Sequence, residues 1–125
     1  MSDTKVKTAQ SIYPGLRYND AKAAIAWLKS SLGFEEHVVY PGKGESIAHA
    51  ELKLAGNLIM LGTGAAKSGV YIALETPEQV DAAYARAKSA GAEIVRELGD
   101  TDYGSHEFGV RDPEGFLWSF GTYRP

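Results

Sequence analysis

Few side chains in this sequence can move a proton or hold a metal: three histidines, His37, His49 and His106, sixteen carboxylates, and no cysteine. Without cysteine there is no disulfide, thiolate metal site, iron–sulfur cluster or thiol nucleophile. Chemistry must be done without sulfur nucleophiles. The most suggestive run is Ala48-His49-Ala50-Glu51-Leu52-Lys53-Leu54. In an extended strand His49, Glu51 and Lys53 share one face, and Ala50, Leu52 and Leu54 the other. That polar face looks either into a cleft or out to solvent. In a cleft, His49 and Glu51 form a general acid/base pair or two of three ligands of a relocated metal site. On an open face they are simply solvated.

His106 follows the turn-rich segment Gly99 to Gly104 and precedes a strand at Glu107, where a mobile loop could carry it over a ligand or leave it in water. His37, beside Glu35 and Glu36, reads as surface charge. Arg17 shares strand parity with Tyr13 and Gly15. It either meets an anionic ligand group or pairs with a strand carboxylate such as Glu51. Trp27, on the helix stripe, and Trp118 and Phe120, opposite Ser119, read as core. Gly62-Thr63-Gly64 is not a phosphate loop, because no helix N-terminus follows it. Gly104-Ser105 leads into a strand, so it is no nucleophile elbow.

The elements that position these groups are short and regular. Asp20 precedes Ala21, Ala24, Ile25, Leu28 and Leu32 at helical spacing, with Gly33 where a left-handed cap would stand. Thr76-Pro77-Glu78-Gln79 is a capping box with proline at the first helical position, followed by Val80, Ala83, Tyr84 and Ala87 and ended by Gly91. Around these two helices eight strands are predicted: Ile12 to Tyr18, Phe34 to Tyr40, Ile47 to Leu54, Leu58 to Leu61, Val70 to Leu74, Glu93 to Leu98, Glu107 to Arg111 and Phe116 to Thr122. Turns such as Ala55-Gly56-Asn57 and Asp112-Pro113-Glu114-Gly115 join them as hairpins.

The order strand, helix, three strands occurs twice, with key glycines about 59 positions apart (Gly33 and Gly91, Gly56 and Gly115, Gly62 and Gly121), the signature of an internal repeat. The fold class is α+β: two tandem βαβββ modules, about 11–64 and 69–123, within one domain over 11–123. Residues 1–10 form a polar tail and Ala65 to Ser68 the link. A helix covers one face of each four-stranded module, so the uncovered faces pair and leave an open mixed-sheet cleft between them.

The 125 residues suit a single domain, and 44% apolar with 23% charged residues is an ordinary globular composition. A net charge of −3 supplies no positive field for nucleic acid. No apolar run approaches a membrane span, and the first residues lack a secretory pattern, so a cytoplasmic protein is expected.

The Asn19-Asp20 helix start, the Leu32-Gly33-Phe34 corner and the ending Tyr103-Gly104-Ser105-His106-Glu107-Phe108-Gly109-Val110-Arg111-Asp112-Pro113-Glu114-Gly115-Phe116-Leu117-Trp118-Ser119-Phe120 resemble the vicinal oxygen chelate superfamily. That group includes glyoxalase I, bleomycin-resistance proteins, fosfomycin-resistance enzymes and extradiol dioxygenases. In its metal-dependent members His, Glu or Gln ligands stand at four strand positions, which the resemblance places here at Tyr13, Met60, Val70 and Ser119. A register shift of one would substitute Tyr71, Ile59, Leu61, Trp118 or Phe120, none better suited to a divalent ion. No metal or other cofactor is therefore expected, and with the ion goes the Lewis acid shared by the superfamily's enzymes.

The resemblance implies a metal-independent protein that binds or sequesters a small, partly aromatic or apolar molecule, as bleomycin-resistance proteins do. It is expected to be a homodimer with clefts shared between chains. Its expected ligand contacts are Tyr13, Arg17, His49, Glu51, Met60, Val70, His106 and Ser119. The alternative is a lyase, isomerase or dioxygenase of the same fold, with a displaced metal or acid/base site built from His49, Glu51 and His106.

Overall fold

The computed structural model describes residues 10–65 and 67–125. Residues 1–9 of the polar tail, and Ala66 in the link, lie outside the described residues. Gln10, at the end of that tail, is held: its side-chain amide donates to Leu58 O and accepts from Leu58 N, at 2.8 and 2.6 Å.

The elements run β1 (Ile12–Tyr18), α1 (Ala21–Leu32), β2 (Glu35–Pro41), β3 (Ile47–Leu54), β4 (Asn57–Thr63), β5 (Gly69–Ala73), α2 (Pro77–Ser89), β6 (Glu93–Asp100), β7 (His106–Arg111) and β8 (Leu117–Gly121). The eight strands of the described residues join one sheet in the order β2-β3-β4-β1-β5-β8-β7-β6. Each half repeats the other: β1 runs parallel to β4 as β5 does to β8, and the remaining pairs within each half are antiparallel. The halves meet where β1 pairs antiparallel with β5, Tyr13 opposite Tyr71 and Gly15 opposite Gly69.

Local chemistry sets both helices. The Asp20 carboxylate accepts from Ala23 N at 3.0 Å, and Gly33, at φ 82°, turns its N–H back to Leu28 O and Lys29 O. These bonds satisfy groups that the helix ends leave unpaired. Thr76 and Gln79 form the reciprocal capping box. The α1 stripe Ala21, Ile25 and Leu28 packs on Ile47, Ala50, Leu52 and Leu61. Trp27 and Leu32, expected in the core, are instead 57% and 51% exposed. Trp27 sits two residues past Ile25, which turns it about 200° away from the buried stripe, and Leu32 lies in the last turn, past the sheet. Under α2, Val80 is fully buried, Tyr84 meets Phe108 edge-on at 5.3 Å, and Phe108 stacks on Phe120 at 5.1 Å.

The hairpin at Asp112-Pro113-Glu114-Gly115 closes through its first residue. One Asp112 carboxylate oxygen accepts from Glu114 N and Phe116 N, the other from the Trp118 indole. The indole bond first, and the backbone bonds after it, hold the Asp112 carboxyl below the usual range. Among the described residues, no helix is long and apolar enough to cross a membrane.

Both helices lie on one side of the sheet, so alternation sends every second strand residue to the opposite side. That second side is the cleft.

Candidate functional site

On β4, Ile59 and Leu61 pack into the α1 core, whereas Leu58 and Met60 join Tyr13, Tyr71, Ala73 and Tyr123 in a separate cluster on the other face. The same alternation puts His49 and Glu51 of β3, and Glu107 and Gly109 of β7, on the cleft side. Of these, His49, Met60, Tyr71, Glu107, Gly109 and Tyr123 line a cleft of about 930 Å³. Both halves of the chain contribute to its lining.

Two buried carboxylates organise it. Glu51, 1% exposed, accepts from His49 Nε2 at 2.7 Å and from the Tyr123 hydroxyl, with His37 Nε2 at 3.9 Å. Glu107, 3% exposed, accepts from Arg96 Nη2 at 3.0 Å and the Tyr103 hydroxyl at 2.9 Å. Buried charge needs partners of this kind, because unpaired desolvation costs several kcal/mol per ion, on the order of the whole stability of a small domain. Gly121 makes room for the second group. A Cβ there would lie 2.5 Å from Glu107 Cγ and 2.8 Å from the Tyr71 hydroxyl.

Burial raises the pKa of Tyr71, Tyr103 and Tyr123, with Glu107 adding to it for the first two and Glu51 for the third. These hydroxyls therefore stay protonated at neutral pH and act as donors, not bases. The 2.7 Å contact with Glu51 engages His49 Nε2 and leaves Nδ1 as the ring nitrogen outside that pair. Tyr40 stacks on His49 at 6.1 Å and 23°.

Of the residues expected at the site, Arg17, His49, Met60 and Ser119 line the cleft, and Glu51 stands behind His49. Tyr13 does not line it. It faces that side but is 2% exposed, packed with Tyr71, its hydroxyl bonded to Gln10 O at 2.8 Å. Val70 borders the cleft, yet the residue facing into it is Tyr71, which registers against Tyr13 on one side and Ser119 on the other. The strand face was off by one there.

His106 is a clearer correction. It lies on the α2 side, between Asp81 Oδ1 on Nε2 and Asp100 Oδ1 on Nδ1, both at 2.7 Å. Glu107 takes the cleft face of β7, so its neighbour His106 must take the other. An acid/base site of His49, Glu51 and His106 is therefore not assembled. Arg17 does not pair with Glu51 either, whose partners are His49, His37 and Tyr123.

Tyr71, Tyr103, Tyr123, Glu107 and Arg96 were not foreseen as site residues. Glu107 could have been found from strict alternation with Phe108. Arg96 could not: Arg96 opposes Gly109 and Ile94 opposes Val110, so the intervening Val95 is a bulge and both Val95 and Arg96 reach the cleft. Tyr123 lies beyond the last strand, where no periodicity applies.

The family model for the Glyoxalase/Bleomycin resistance protein/Dioxygenase superfamily matches residues 10–120. The chain belongs to this superfamily. An uncharacterised protein of Mycobacterium tuberculosis strain H37Rv is 29% identical over 93% of this chain and 76% of its own length. Among solved structures, a superfamily member from Vibrio splendidus 12B01 is similar at 22% identity and TM-score 0.71, covering 88% of this chain and 96% of that one. Methylmalonyl-CoA epimerase from M. tuberculosis is similar at 18% identity and TM-score 0.65, covering 97% and 94%. These structural likenesses concern the fold.

The divalent ion of the superfamily's metal-dependent members is not matched by this chain's donors. Met60, Tyr71 and Ser119 hold the central cleft positions, and no three His, Asp or Glu side chains among the described residues are grouped to bind an ion. A thioether and two hydroxyls are poor ligands for a hard or borderline divalent cation.

Proposed function

We propose that this chain binds a small, partly aromatic molecule in the cleft, in the manner of bleomycin-resistance proteins and without a divalent ion. One observation carries the reading: the middle of the cleft presents Met60, Tyr71 and Ser119, with further tyrosines around it, where the superfamily's metal-dependent members need carboxylates and imidazoles. Thioether and ring faces supply contact area to a flat ligand, and the tyrosine hydroxyls, whose hydrogens go to Tyr123 O, Glu107 and Glu51, hold those rings in place. A thermal-shift screen of aromatic small molecules tests it, since a ligand at 100 times its Kd adds about 2.7 kcal/mol of stability. Hits that no longer stabilise a protein whose cleft is filled by Ser119→Trp support the reading. Hits indifferent to that substitution refute it.

A second reading is metal-free proton transfer, favoured by the 2.7 Å contact that fixes His49 against buried Glu51. In it His49 Nδ1 accepts a proton and Glu51 positions the ring. A His49→Gln variant that binds as well as the parent but fails to exchange ligand protons with D2O supports it. The protein is further taken to be a cytoplasmic homodimer, for which sedimentation and cell fractionation are the tests.

A further inference from the structure

The two ends of the cleft differ in charge, and the topology explains why. Arg17 stands at the C-terminal end of β1, Lys67 just before β5, and Arg111 at the C-terminal end of β7. Because β5 is antiparallel to β1, and β7 antiparallel to β8, which parallels β5, all three positions fall at one end. Glu107 and Tyr123 lie at the other. The ion pairs among the described residues engage Lys22, Lys29, Arg96 and the histidines, and none engages Arg17, Lys67 or Arg111. In a chain of net charge −3, three cations without ion-pair partners among the described residues line one mouth of the cleft.

Between them the floor has no side chains. Gly15 and Gly69 are paired across β1 and β5, flanked by Met60 and Leu117 on the adjoining strands. Gly69 tolerates nothing larger, since a Cβ there would meet Leu117 O at 2.2 Å. Two adjacent glycines on one face leave flat backbone with apolar walls, the shape of a planar ring.

Resting on the binding reading above, we propose that the ligand is an aromatic anion. Its ring lies on the Gly15–Gly69 floor between Met60 and Leu117, and its carboxylate or equivalent group meets Arg17 and Arg111 at the mouth, with Lys67 adding charge. Guanidinium groups suit this task, since their planar fork matches carboxylate geometry.

The test compares 2-naphthoate with its neutral isostere 2-naphthamide, by calorimetry at low and high salt, on the intact protein. Binding is located by NMR of 13C-methyl methionine, which has only Met1 and Met60 to report. The expected result is a preference for naphthoate of about tenfold or more, the size of a charge-assisted contact. It should shrink with salt and disappear in Arg17→Gln/Arg111→Gln, with the Met60 methyl shifted by either probe. Equal affinity for the two probes, with Met60 shifted, overturns the anion inference and leaves cleft binding standing. A naphthoate preference that survives the double substitution also overturns it. Binding that leaves the Met60 methyl unmoved, or no binding of either probe at millimolar concentration, overturns the inference and removes support from the cleft reading as well.

Discussion

His106 shows how a residue expected to serve a ligand can serve the fold. Its hydrogen bonds to the carboxylates of Asp81 first, and Asp100 second, raise its pKa above the ordinary imidazole value of 6.5. A histidine with a raised folded-state pKa contributes stability that is fully present below its unfolded value and is lost as pH rises through the folded one. Urea titrations should therefore show stability falling as pH rises above 6.5, and His106→Gln should remove that part of the dependence. A variant with an unchanged pH profile would show that the two carboxylates do not hold the imidazolium. Glu51 and Glu107 act at the same scale inside the cleft, each held by neighbouring side chains: His49 and Tyr123 on Glu51, Arg96 and Tyr103 on Glu107.

At the scale of the element, strand alternation decides which residues of β4 face the core and which the cleft. Ile59→Arg would drive a charge under α1 among Ile25, Leu28 and Leu52 and should unfold the protein or cost at least about 3 kcal/mol, as unpaired buried charges do. Met60→Arg, one residue on, points into the open cleft beside Glu51 and should leave the fold intact. Circular dichroism melts of the pair check this; the reverse outcome would put β4 out by one residue. The paired glycines of β1 and β5 make a second contrast. Gly69→Ala forces β5 away from Leu117 O of β8, and should destabilise by about 2 kcal/mol or more, like other overpacked sites. Gly15→Ala, whose Cβ has its nearest neighbour at an ordinary contact distance of 3.5 Å, should be neutral or stabilise by less than about 1 kcal/mol, the range for alanine at a position that accepts it. Denaturant midpoints for the two variants separate the cases.

For the whole molecule, the binding reading proposed above requires no metal. Treatment with EDTA should leave the melting temperature unchanged, and elemental analysis of protein prepared without added metal should find no stoichiometric nickel, zinc, iron or manganese. No turnover of the methylglyoxal–glutathione hemithioacetal is expected with any of these ions added, since no carboxylate or imidazole stands ready at Met60, Tyr71 or Ser119 to hold one. A rate in the ordinary enzymatic range, about 1 s⁻¹ or above, would count against this account of the site.

Sequence alone determined the elements and their duplication, because capping residues, turn glycines and apolar periodicity act over a few residues and need no distant partner. Asp20, Gly33 and the Thr76–Gln79 box do what their spacing predicts. The 59-residue repeat implied two like modules with a cleft, and alternation placed Met60, Ser119, His49 and Glu51 on one side of their strands. Only the tertiary structure could say which side of β3 was the cleft, because that depends on where α1 packs. It alone chose Tyr71 over Val70, turned His106 towards α2, and brought Tyr123 of the C-terminal segment onto Glu51 of β3, 72 positions earlier. Those outcomes depend on inter-strand register, on the bulge at Val95 and on the meeting of the two halves at β1 and β5. Each is set by contacts between residues far apart in the chain, which short-range periodicity does not encode.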